Sequence, residues 1–487
     1  MSDKVFFIDP VTRVEGVSRV VIQVDERNEV KNVLYQVTEL RGFEAFCKGR
    51  AVEEMPRITS AICGVCSWSH HLASGKAVDS VLGREPPEVA VKLREFANYI
   101  QIIDSHLLHL CIMALPDFVL SNAPPKLRNI VGLMKSEPEV IKVILKSRRV
   151  IKSIEEVLGG KPVHAAFVVP GGVSKKLTKD ELDELTKLVK DLMDQVSFIA
   201  DFFNESVVNS DEFQGLLRDE SYRVKSLYIG LVSPTGELEF YDGGLRVIDS
   251  EGREVFKFKA SDYAKYIAEH SSDISYSKFP YPKWLGWRGF SEEYVFRAGP
   301  LARLNVSERV GTERANEEYK YMLEVLGPKP IHSTMAYHWA RVIECLYCVE
   351  RMQETLTDDV SLMEGDVVDV RGEPKEEGVG VVEAPRGTLI HHYEVDEELV
   401  TTNVNIITPT AINNAAINVE LTKVVAKAWK CGELTDEVVN EIEKSIRAYD
   451  PCNSCATHTL NTDSDLRVLV INSSNRALEV LSGVVHE

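Results

Sequence analysis

Apolar residues recur along this chain with two different periods, and each period predicts a different kind of element. Over residues 5–40 apolar and polar side chains alternate around a turn at residues 26–29, which predicts an antiparallel hairpin. Two later segments repeat apolar residues every three or four positions, which predicts the core-facing stripes of long helices. The two stripes are Leu93, Phe96, Ile100, Ile103, Leu107 and Leu110, and Leu182, Leu185, Val189, Leu192, Val196 and Ile199.

Three further helices and two β-rich segments complete the predicted architecture. The helices cover residues 332–356, 411–430 and 435–448, and the β-rich segments cover residues 225–300 and 378–408. The chain shows no internal repeat and no low-complexity linker. We therefore expect an α+β fold, a large helical bundle with small peripheral sheets and no clean domain boundary.

Composition narrows the class of protein. The chain has 487 residues, of which 44% are apolar and 27% charged, as in a globular protein with a large core. Its formal charge of −19 argues against nucleic acid or an anionic membrane as the main partner. Neither a signal peptide nor an apolar run of membrane-spanning length is apparent. Nine cysteines, an odd number, do not suggest a disulfide framework, so we expect a cytoplasmic protein.

The cysteines differ in their context, and several are expected to be structural. Cys345 and Cys348 form a C-x-x-C pair inside a predicted helix, where the spacing is a coincidence of packing. Cys47, Cys111 and Cys431 are scattered singly. Free cysteine commonly packs as a small buried hydrophobe, so we expect all five in the core.

The other two C-x-x-C pairs, Cys63/Cys66 and Cys452/Cys455, together offer four thiolates to one metal ion. A structural zinc site and a redox disulfide pair are alternative interpretations. Zinc ribbons usually draw their pairs from within a few tens of residues, whereas these two lie near opposite ends of the chain. Spacing alone leaves a structural and a catalytic metal site equally open.

Helix-breaking residues lie beside both pairs. Gly64 is expected to let the backbone bring the first two sulfurs together. Asp450 and Pro451 are expected to end a helix just before the second pair. Both pairs should therefore lie in turns.

The strings around these four cysteines resemble the large-subunit signatures of nickel–iron hydrogenases. Each string alone is weak, but the set is specific, follows the family's order and spans nearly the whole chain. The resemblance implies the catalytic subunit of a hydrogenase, which cleaves dihydrogen heterolytically and reversibly. The strings are R-V-E-G (13–16), R-G-F-E (41–44), C-G-V-C-x-x-x-H (63–70), P-G-G (170–172), G-P-L-A-R-L-N (299–305), E-A-P-R-G-T-L (383–389) and D-P-C-x-x-C-A-T-H (450–458).

The resemblance assigns roles to the four cysteines. Cys63 and Cys452 correspond to terminal thiolates on nickel, and Cys66 and Cys455 to thiolates that bridge nickel to iron. In the family the iron also carries cyanide and carbon monoxide. Soft thiolate ligands suit both metals.

Two charged residues correspond to catalytic positions of the family. Arg386 matches the arginine that lies over the nickel, where a permanent charge polarises dihydrogen or pairs with a base. Glu15 matches the glutamate that relays protons beside a terminal cysteine, a role helped by a pKa raised toward neutrality.

Further matches concern the surroundings of the metals. Glu44, His458 and the main-chain carbonyl of Ile406 match the ligands of a magnesium ion, or of iron, near the C-terminus. His70 matches a histidine hydrogen-bonded to a bridging sulfur. The pocket of the diatomic ligands is matched by Pro385, Pro409 and Thr410, of which Thr410 can donate a hydrogen bond to cyanide.

The two ends of the resemblance each carry an expectation. In the family a dedicated protease cuts after the histidine of the last motif once nickel is loaded, so we expect a mature unit of residues 1–458 and a removable extension of residues 459–487. An ordinary C-terminal strand is the alternative. The family usually has arginine two residues before the first cysteine, where this chain has Ala61, and the difference concerns tuning of the site.

The resemblance also implies partners. Because no cysteines remain for iron–sulfur clusters, electrons must leave through an obligate iron–sulfur small subunit. Nickel chaperones and a maturation protease are implied as well. The strings are closest to the cytoplasmic, cofactor-coupled group, whose acceptors include heterodisulfide reductase, a deazaflavin and a nicotinamide coenzyme. A non-catalytic, metal-stapled scaffold related to a subunit of respiratory complex I is the alternative from another class.

Overall fold

The computed structural model describes residues 4–357, 359–429, 433–457, 466–471 and 477–483. About half of the chain is helical. The α-helices are α1 (Phe43–Cys47), α2 (Met55–Ser60), α3 (Ser67–Leu82), α4 (Glu88–Leu108), α5 (Leu115–Val119), α6 (Ile130–Ser136), α7 (Pro138–Gly159), α8 (Lys179–Phe203), α9 (Asp211–Arg218), α10 (Tyr263–Tyr266), α11 (Pro300–Val306), α12 (Glu313–Leu326), α13 (Ala336–Thr355), α14 (Asp359–Glu364), α15 (Pro409–Ala428) and α16 (Asp436–Tyr449).

The strands form small, separate sheets. Three of these are the antiparallel sheets β1-β2-β3 and β12-β13-β14 and the mixed sheet β11-β6-β7-β8; β4/β5, β9/β10 and β15/β16 are two-stranded. The strands are β1 (Lys4–Ile8), β2 (Ser18–Val24), β3 (Val30–Val37), β4 (Val168–Val169), β5 (Gly172–Val173), β6 (Leu227–Val232), β7 (Gly244–Ile248), β8 (Glu254–Phe258), β9 (Ile267–His270), β10 (Phe279–Pro282), β11 (Phe296–Arg297), β12 (Glu377–Ala384), β13 (Gly387–Val395), β14 (Thr401–Ile407), β15 (Leu466–Ile471) and β16 (Ala477–Gly483).

The helical bundle predicted from the apolar stripes is confirmed. Helix α4 packs on α7 and α13, and α8 packs on α7 and α13, so the two predicted stripes face a shared core. Helix α4 continues into a π-helical segment, His109–Ala114, just before Pro116, whose missing N–H removes one helical hydrogen bond. The predicted helix at 332–356 begins later, at Ala336, because Ser333 instead pairs with Arg223 in an isolated bridge.

All three predicted β regions are confirmed, including 225–300, which holds strands β6 to β11, and there are additions. The N-terminal hairpin is β2 and β3, and β1 adds a third strand to it. The segment at 378–408 is the three-stranded β12-β13-β14 meander. Helix α3, which the stripes did not predict, packs on β12 and β13. The contact is close, because a Cβ on Gly380 would lie 2.1 Å from the carbonyl of Ala73.

One helical stretch, Glu88–Val119, is long and apolar enough to cross a membrane by length and composition alone. The expectation that no such run exists therefore overlooked it. However, 78% of its apolar window is buried inside the protein, as in the core helix of a bundle. Packing against α7 and α13 accounts for its apolar character.

Candidate metal centre

Four buried cysteines from the two ends of the chain form one cluster. The Sγ atoms of Cys63, Cys66, Cys452 and Cys455 all lie within 4.8 Å of one another. The first members of the two pairs face each other, Cys63 to Cys452 at 3.4 Å, and so do the second members, Cys66 to Cys455 at 3.2 Å. All four are free thiols in the structure. The predicted staple between the two ends of the chain is therefore formed.

The backbone places each pair differently. Cys63 and Cys66 lie between the end of α2 and the start of α3. Cys452 follows α16, whose last turn is closed by Asp450 in a left-handed conformation (φ 56°), as the helix-stop prediction required. The reason predicted for Gly64 is wrong: its φ is not positive, and an added Cβ would meet nothing within 4 Å.

The N-terminal segment brings a carboxyl group to the cluster. The Cys452 thiol donates to Glu15 Oε2 at 2.9 Å, and the Ser454 hydroxyl donates to Glu15 Oε1 at 2.5 Å. Glu15 also pairs with Cys452 as a parallel bridge, and the Asn453 N–H donates to the Glu15 carbonyl at 3.0 Å. Burial, and next the charge of Cys63, raise the pKa of the half-buried Glu15 carboxyl.

Gly16 allows the N-terminal segment around Glu15 to approach the second cysteine pair closely. Its φ is +74°, and an added Cβ would lie 2.7 Å from the Ser454 nitrogen and 2.9 Å from the Asn453 Cβ. Only glycine tolerates both the conformation and the contact. The R-V-E-G string therefore encodes the approach of Glu15 to Cys452.

A buried guanidinium also borders the cluster. Arg386 is 3% exposed and donates through Nε to the Asp450 carbonyl at 2.7 Å, through Nη2 to Asp450 Oδ1 at 3.0 Å and through Nη1 to Ser105 Oγ at 3.2 Å. Burial alone would lower the pKa of Arg386, but Asp450 and the charges of the cysteines raise it well above its usual value. The group is thus a permanent cation beside the thiols.

Arg386 is held at the tip of a β-hairpin. The strand pair Ala384 and Gly387 leaves Pro385 and Arg386 as a two-residue loop. Arg303 of the G-P-L-A-R-L-N string donates to the carbonyls of Ala384 at 2.9 Å and Pro385 at 3.1 Å. Two of the sequence strings therefore meet to fix this loop.

The remaining predicted pocket residues also surround the thiols. A small cavity is bordered by Pro385, Pro409, Thr410 and His70 together with cysteines of the cluster. Thr410 lies in the first turn of α15, and its Oγ1 accepts from the Cys452 N–H at 2.9 Å. Its hydroxyl proton is therefore left to donate elsewhere. Burial lowers the pKa of His70 to about 4, so this imidazole is neutral near pH 7.

Of the three residues predicted to bind a cation near the C-terminus, the structure describes two, Glu44 and Ile406. Glu44 is buried, and its Oε1 accepts from the Ile406 N–H at 2.8 Å. The ammonium of Lys278 lies 3.1 Å from Glu44 and 3.4 Å from Glu269. The sequence predicted neither of these two contacts. The third predicted ligand, His458, lies outside the described residues.

The cysteines predicted to be structural lie in the core as far as they are described. Cys345 and Cys348 are buried on α13, and Cys47 and Cys111 are buried elsewhere. Burial raises the pKa of each of these four thiols. Cys431 lies outside the described residues.

The chemistry of the cluster fits a soft metal ion. Three sulfur–sulfur contacts of 2.8–3.4 Å bring the four thiols together without a disulfide. Hydrogen bonds from the neighbouring thiols lower the pKa of Cys63, whereas burial raises the pKa of Cys452 and Cys455. Sulfurs that are crowded and desolvated in this way favour binding of a thiophilic metal, which takes them as thiolates.

Several residues of the site were not predicted. Asp450 belongs to the D-P-C string but was interpreted only as a helix stop, and Ser105 lies on a helix interpreted through its apolar stripe. Arg303 belongs to the G-P-L-A-R-L-N string, which predicts no role for it. His391 and Tyr393 contact His70 directly or through one another, and no local signal in the sequence marks them.

Comparison with known proteins places this site in a family. A family model described as nickel-dependent hydrogenase matches residues 41–123 and 239–458, and a second, described as HoxL-like, matches residues 6–40. The chain is 40% identical to an iron-sulfur subunit of the F420-non-reducing hydrogenase of Archaeoglobus profundus, over 97% of this chain and 98% of that one. It is 34% identical to the NAD-reducing hydrogenase HoxS subunit beta of Cupriavidus necator, over 97% and 98%.

Solved structures agree. An NAD+-reducing [NiFe]-hydrogenase in its H2-reduced state superposes with a TM-score of 0.86 at 35% identity, covering 93% of this chain and 99% of that one. The Ni-Fe-Se hydrogenase from D. vulgaris Hildenborough, at 23% identity, shares the fold with a TM-score of 0.73, covering 94% and 100%.

The chain belongs to the nickel-dependent hydrogenase family. It is a catalytic subunit of an oxidoreductase that acts on dihydrogen, and its four-cysteine cluster fits a nickel site. The relatives are subunits of larger enzymes, so this chain works with partner subunits.

Proposed function

We propose that the four cysteines hold a nickel–iron centre whose iron carries cyanide and carbon monoxide. Cys63 and Cys452 would be the terminal thiolates on nickel, and Cys66 and Cys455 would bridge the two metals. The observation that carries this proposal is the close approach of four buried Sγ atoms, first member to first and second to second. When bound, the centre would supply the Lewis acid that polarises dihydrogen.

Glu15 is proposed as the group that exchanges protons with the centre. Its Oε2 accepts directly from Cys452 Sγ, and the residue is only half-buried although it contacts the buried thiols. A raised pKa suits a carboxyl that must both accept and release a proton near neutral pH. The Ser454 hydroxyl orients the carboxyl through its bond to Oε1.

Arg386 is proposed to act as a fixed positive charge beside the reacting atoms. The carbonyl and the carboxylate of Asp450 accept from Nε and Nη2 of the guanidinium, and Ser105 Oγ accepts from Nη1. Such preorganised charge stabilises a developing anion without any reorganisation during the reaction. Pro385, Pro409 and Thr410 would shape the pocket of the diatomic ligands, with Thr410 donating to a cyanide nitrogen.

A magnesium ion, or iron, is proposed at Glu44, with the Ile406 carbonyl and His458 as further ligands. Glu44 is a buried carboxyl group whose Oε1 accepts from the Ile406 N–H at 2.8 Å, which places it beside the main chain of the second proposed ligand. Carboxylate and carbonyl oxygens, completed by water, are the ligands that a hard cation prefers.

The electron exit is proposed to be an iron–sulfur small subunit docked beside the first cysteine pair. Gly64 is exposed between Cys63 and Cys66, so the protein wall over the cluster is thin at this point. Three apolar side chains in this part of the chain are exposed: Val17 before β2 (43% exposed), Leu40 just before α1 (50%) and Phe46 on α1 (54%). We propose that these exposed apolar side chains take part in the interface with that subunit. Further electron-transfer subunits would complete the path.

The physiological acceptor is proposed from the relatives. Those named F420-non-reducing hydrogenases favour the methyl-viologen-reducing group coupled to heterodisulfide reductase. The relative named NAD-reducing hydrogenase supports a nicotinamide-coupled alternative, and a deazaflavin-coupled enzyme is a third member of the same group. A cytoplasmic location belongs to this proposal.

Maturation is proposed to end with removal of residues 459–487 by a dedicated protease after nickel chaperones have loaded the site. Within this segment the structure describes an antiparallel hairpin, β15 with β16. Cleavage after His458 would make that residue the C-terminus, next in sequence to the cluster-bearing string.

The test compares Cys452→Ala with Cys348→Ala. Both remove one buried thiol from a C-x-x-C pair, but only Cys452 belongs to the cluster. We expect Cys452→Ala to lose nickel, dihydrogen-dependent dye reduction and removal of the tail, and Cys348→Ala to keep all three. Full activity and nickel content in Cys452→Ala would refute the proposed site.

A further inference from the structure

We infer that His391 and Tyr393 are positioning residues that fix the ring of His70, and its choice of protonated nitrogen, toward the cluster. The inference rests on the proposed nickel–iron centre and concerns two residues that lie outside the sequence strings of the family. It starts from a chain of buried hydrogen bonds, named here the His70 relay (His70, His391, Tyr393 and Ser74).

The His70 relay leads away from the cluster without a break. His70 Nδ1 lies 3.0 Å from His391 Nε2, and His391 Nδ1 lies 2.6 Å from the Tyr393 oxygen. The Tyr393 hydroxyl then donates to Ser74 Oγ at 2.8 Å. All four side chains are at most 1% exposed, so no bulk water substitutes for any of these bonds.

The four side chains of the relay come from helix α3 and strand β13, along which the two pairs are spaced by similar distances. His70 and Ser74 are one helical turn apart on α3, and His391 and Tyr393 are two residues apart on β13. Four residues of helix rise about 6 Å and two residues of strand about 6.6 Å, so both pairs of side chains meet in register. Because α3 packs on β13, the geometry is fixed by the core and not by the site.

The hydrogen bonds of the relay must all run in the same donor-to-acceptor direction at any one time. While Tyr393 donates to Ser74, His391 Nδ1 must donate to Tyr393, and His391 Nε2 must accept from His70 Nδ1. The single ring proton of a neutral His70 then lies on Nδ1. Reversal of every bond moves that proton to Nε2, where the ring can donate to a sulfur. The far end of the relay therefore selects whether His70 donates or accepts at the cluster.

The consequence for the centre follows from the position of His70. Its ring borders the same small cavity as Cys66 and Cys455. A hydrogen bond to a bridging thiolate withdraws electron density from the metals, and losing it returns that density. The direction of the relay should thus change the electronic state of the iron.

The chain supplies closely matched controls. His392 is the next residue on β13 and points to the opposite face, where its Nδ1 lies 2.9 Å from the Tyr263 oxygen and its Nε2 3.0 Å from Glu377. Tyr347 is a buried tyrosine whose hydroxyl donates to the Leu238 carbonyl at 3.1 Å, within the helical bundle. Each control loses the same chemical group as its counterpart in the relay.

The experiment is infrared spectroscopy of the carbon monoxide and cyanide bands of the assembled enzyme, together with its nickel content. We expect Tyr393→Phe and His391→Gln to shift the bands while nickel content is kept, and His392→Gln and Tyr347→Phe to leave them in place. Tyr393→Phe preserves the ring, so it remains informative if His391→Gln fails to fold.

Unshifted bands in Tyr393→Phe, or equal shifts in the controls, would overturn the inference. Absence of the bands from the unmodified enzyme would instead refute the proposed centre, so the two failures are distinguishable.

Discussion

Replacing Arg303 by methionine is predicted to destabilise the protein, because Arg303 is the cation of a fully buried ion-pair network. The guanidinium is fully buried and binds Glu344 through two bonds of 2.6 and 2.7 Å and Glu383 through one of 2.7 Å. It also donates to the carbonyls of Ala384 and Pro385. Methionine fills much of the same volume and removes every one of these donors.

The magnitude follows from the carboxylates left behind. Breaking a buried ion pair by removing one partner costs about 3–5 kcal/mol, because the other charge stays buried without compensation. Here Arg303 opposes the effect of burial on both carboxyl groups: the pKa of Glu344 is lowered overall, and burial keeps that of Glu383 raised. Without Arg303 both pKa values rise, and protonation limits the penalty. We expect a loss of about 3–5 kcal/mol near pH 8 that shrinks as the pH falls toward the unfolded value near 4.5.

Urea-induced unfolding of Arg303→Met and Arg57→Met at pH 8 and pH 5.5 would test this value. Arg57 pairs with Glu54 on the surface, where such pairs contribute at most about 1 kcal/mol. In the double variant Arg303→Met/Glu344→Gln we expect recovery of at least about 1 kcal/mol. A loss no larger than that of Arg57→Met, or no recovery in the double variant, would refute the reasoning.

The remaining predictions concern the site and one distant carboxyl group. Glu15→Gln should keep nickel but lower dihydrogen-dependent dye reduction about 10²–10⁴-fold, because the amide does not exchange protons; unchanged rates would contradict the relay role. Gly16→Ala should lower nickel content, because the added Cβ would lie 2.7 Å from the Ser454 nitrogen. Gly49→Ala is the control: it has a similar φ of +77° but nothing within 4 Å, so it should cost only about 1–2 kcal/mol of backbone strain and keep nickel. Equal nickel content in both variants would count against the predicted contact. Burial, with Glu239 next, raises the pKa of Glu95 to about 7, so its ionised form costs the folded state free energy that is complete above pH 7 and absent below the unfolded value near 4.5. Glu95→Gln should therefore raise the free energy of unfolding by about 2–3 kcal/mol at pH 8 and by less than about 1 kcal/mol at pH 5, and a gain that does not depend on pH would contradict this origin.

Elements with a regular apolar pattern were predictable from the sequence. The stripes of α4 and α8 and the alternation of β2 and β3 are confirmed because each buries one face. Helix α3 was not predicted, since nearly all of its residues are buried and its small and polar side chains form no stripe. Helix α7 carries a readable stripe, Val140, Ile141, Ile144, Ile151, Ile154 and Leu158, and could have been predicted.

The metal site likewise combines residues that the sequence predicts with residues that it does not. The four cysteines are predictable from their residue type and spacing, and the structure brings them together. Their partners depend on contacts between distant segments, such as Ser105 with Arg386 or Tyr393 with Ser74, which no local pattern encodes. The role of letting the backbone bring two sulfurs together fails for Gly64, since its φ is not positive and an added Cβ would meet nothing within 4 Å, whereas the close approach occurs at Gly16.

The central claim is that Cys63, Cys66, Cys452 and Cys455 hold a nickel–iron centre. Metal analysis and infrared spectroscopy of the purified, assembled enzyme test it most directly. We expect nickel in the enzyme, with iron in excess of it because the partner subunit adds iron–sulfur clusters, and infrared bands from carbon monoxide and cyanide bound to iron. Zinc alone, with no such bands and no dihydrogen-dependent dye reduction, would contradict the claim and favour a structural scaffold.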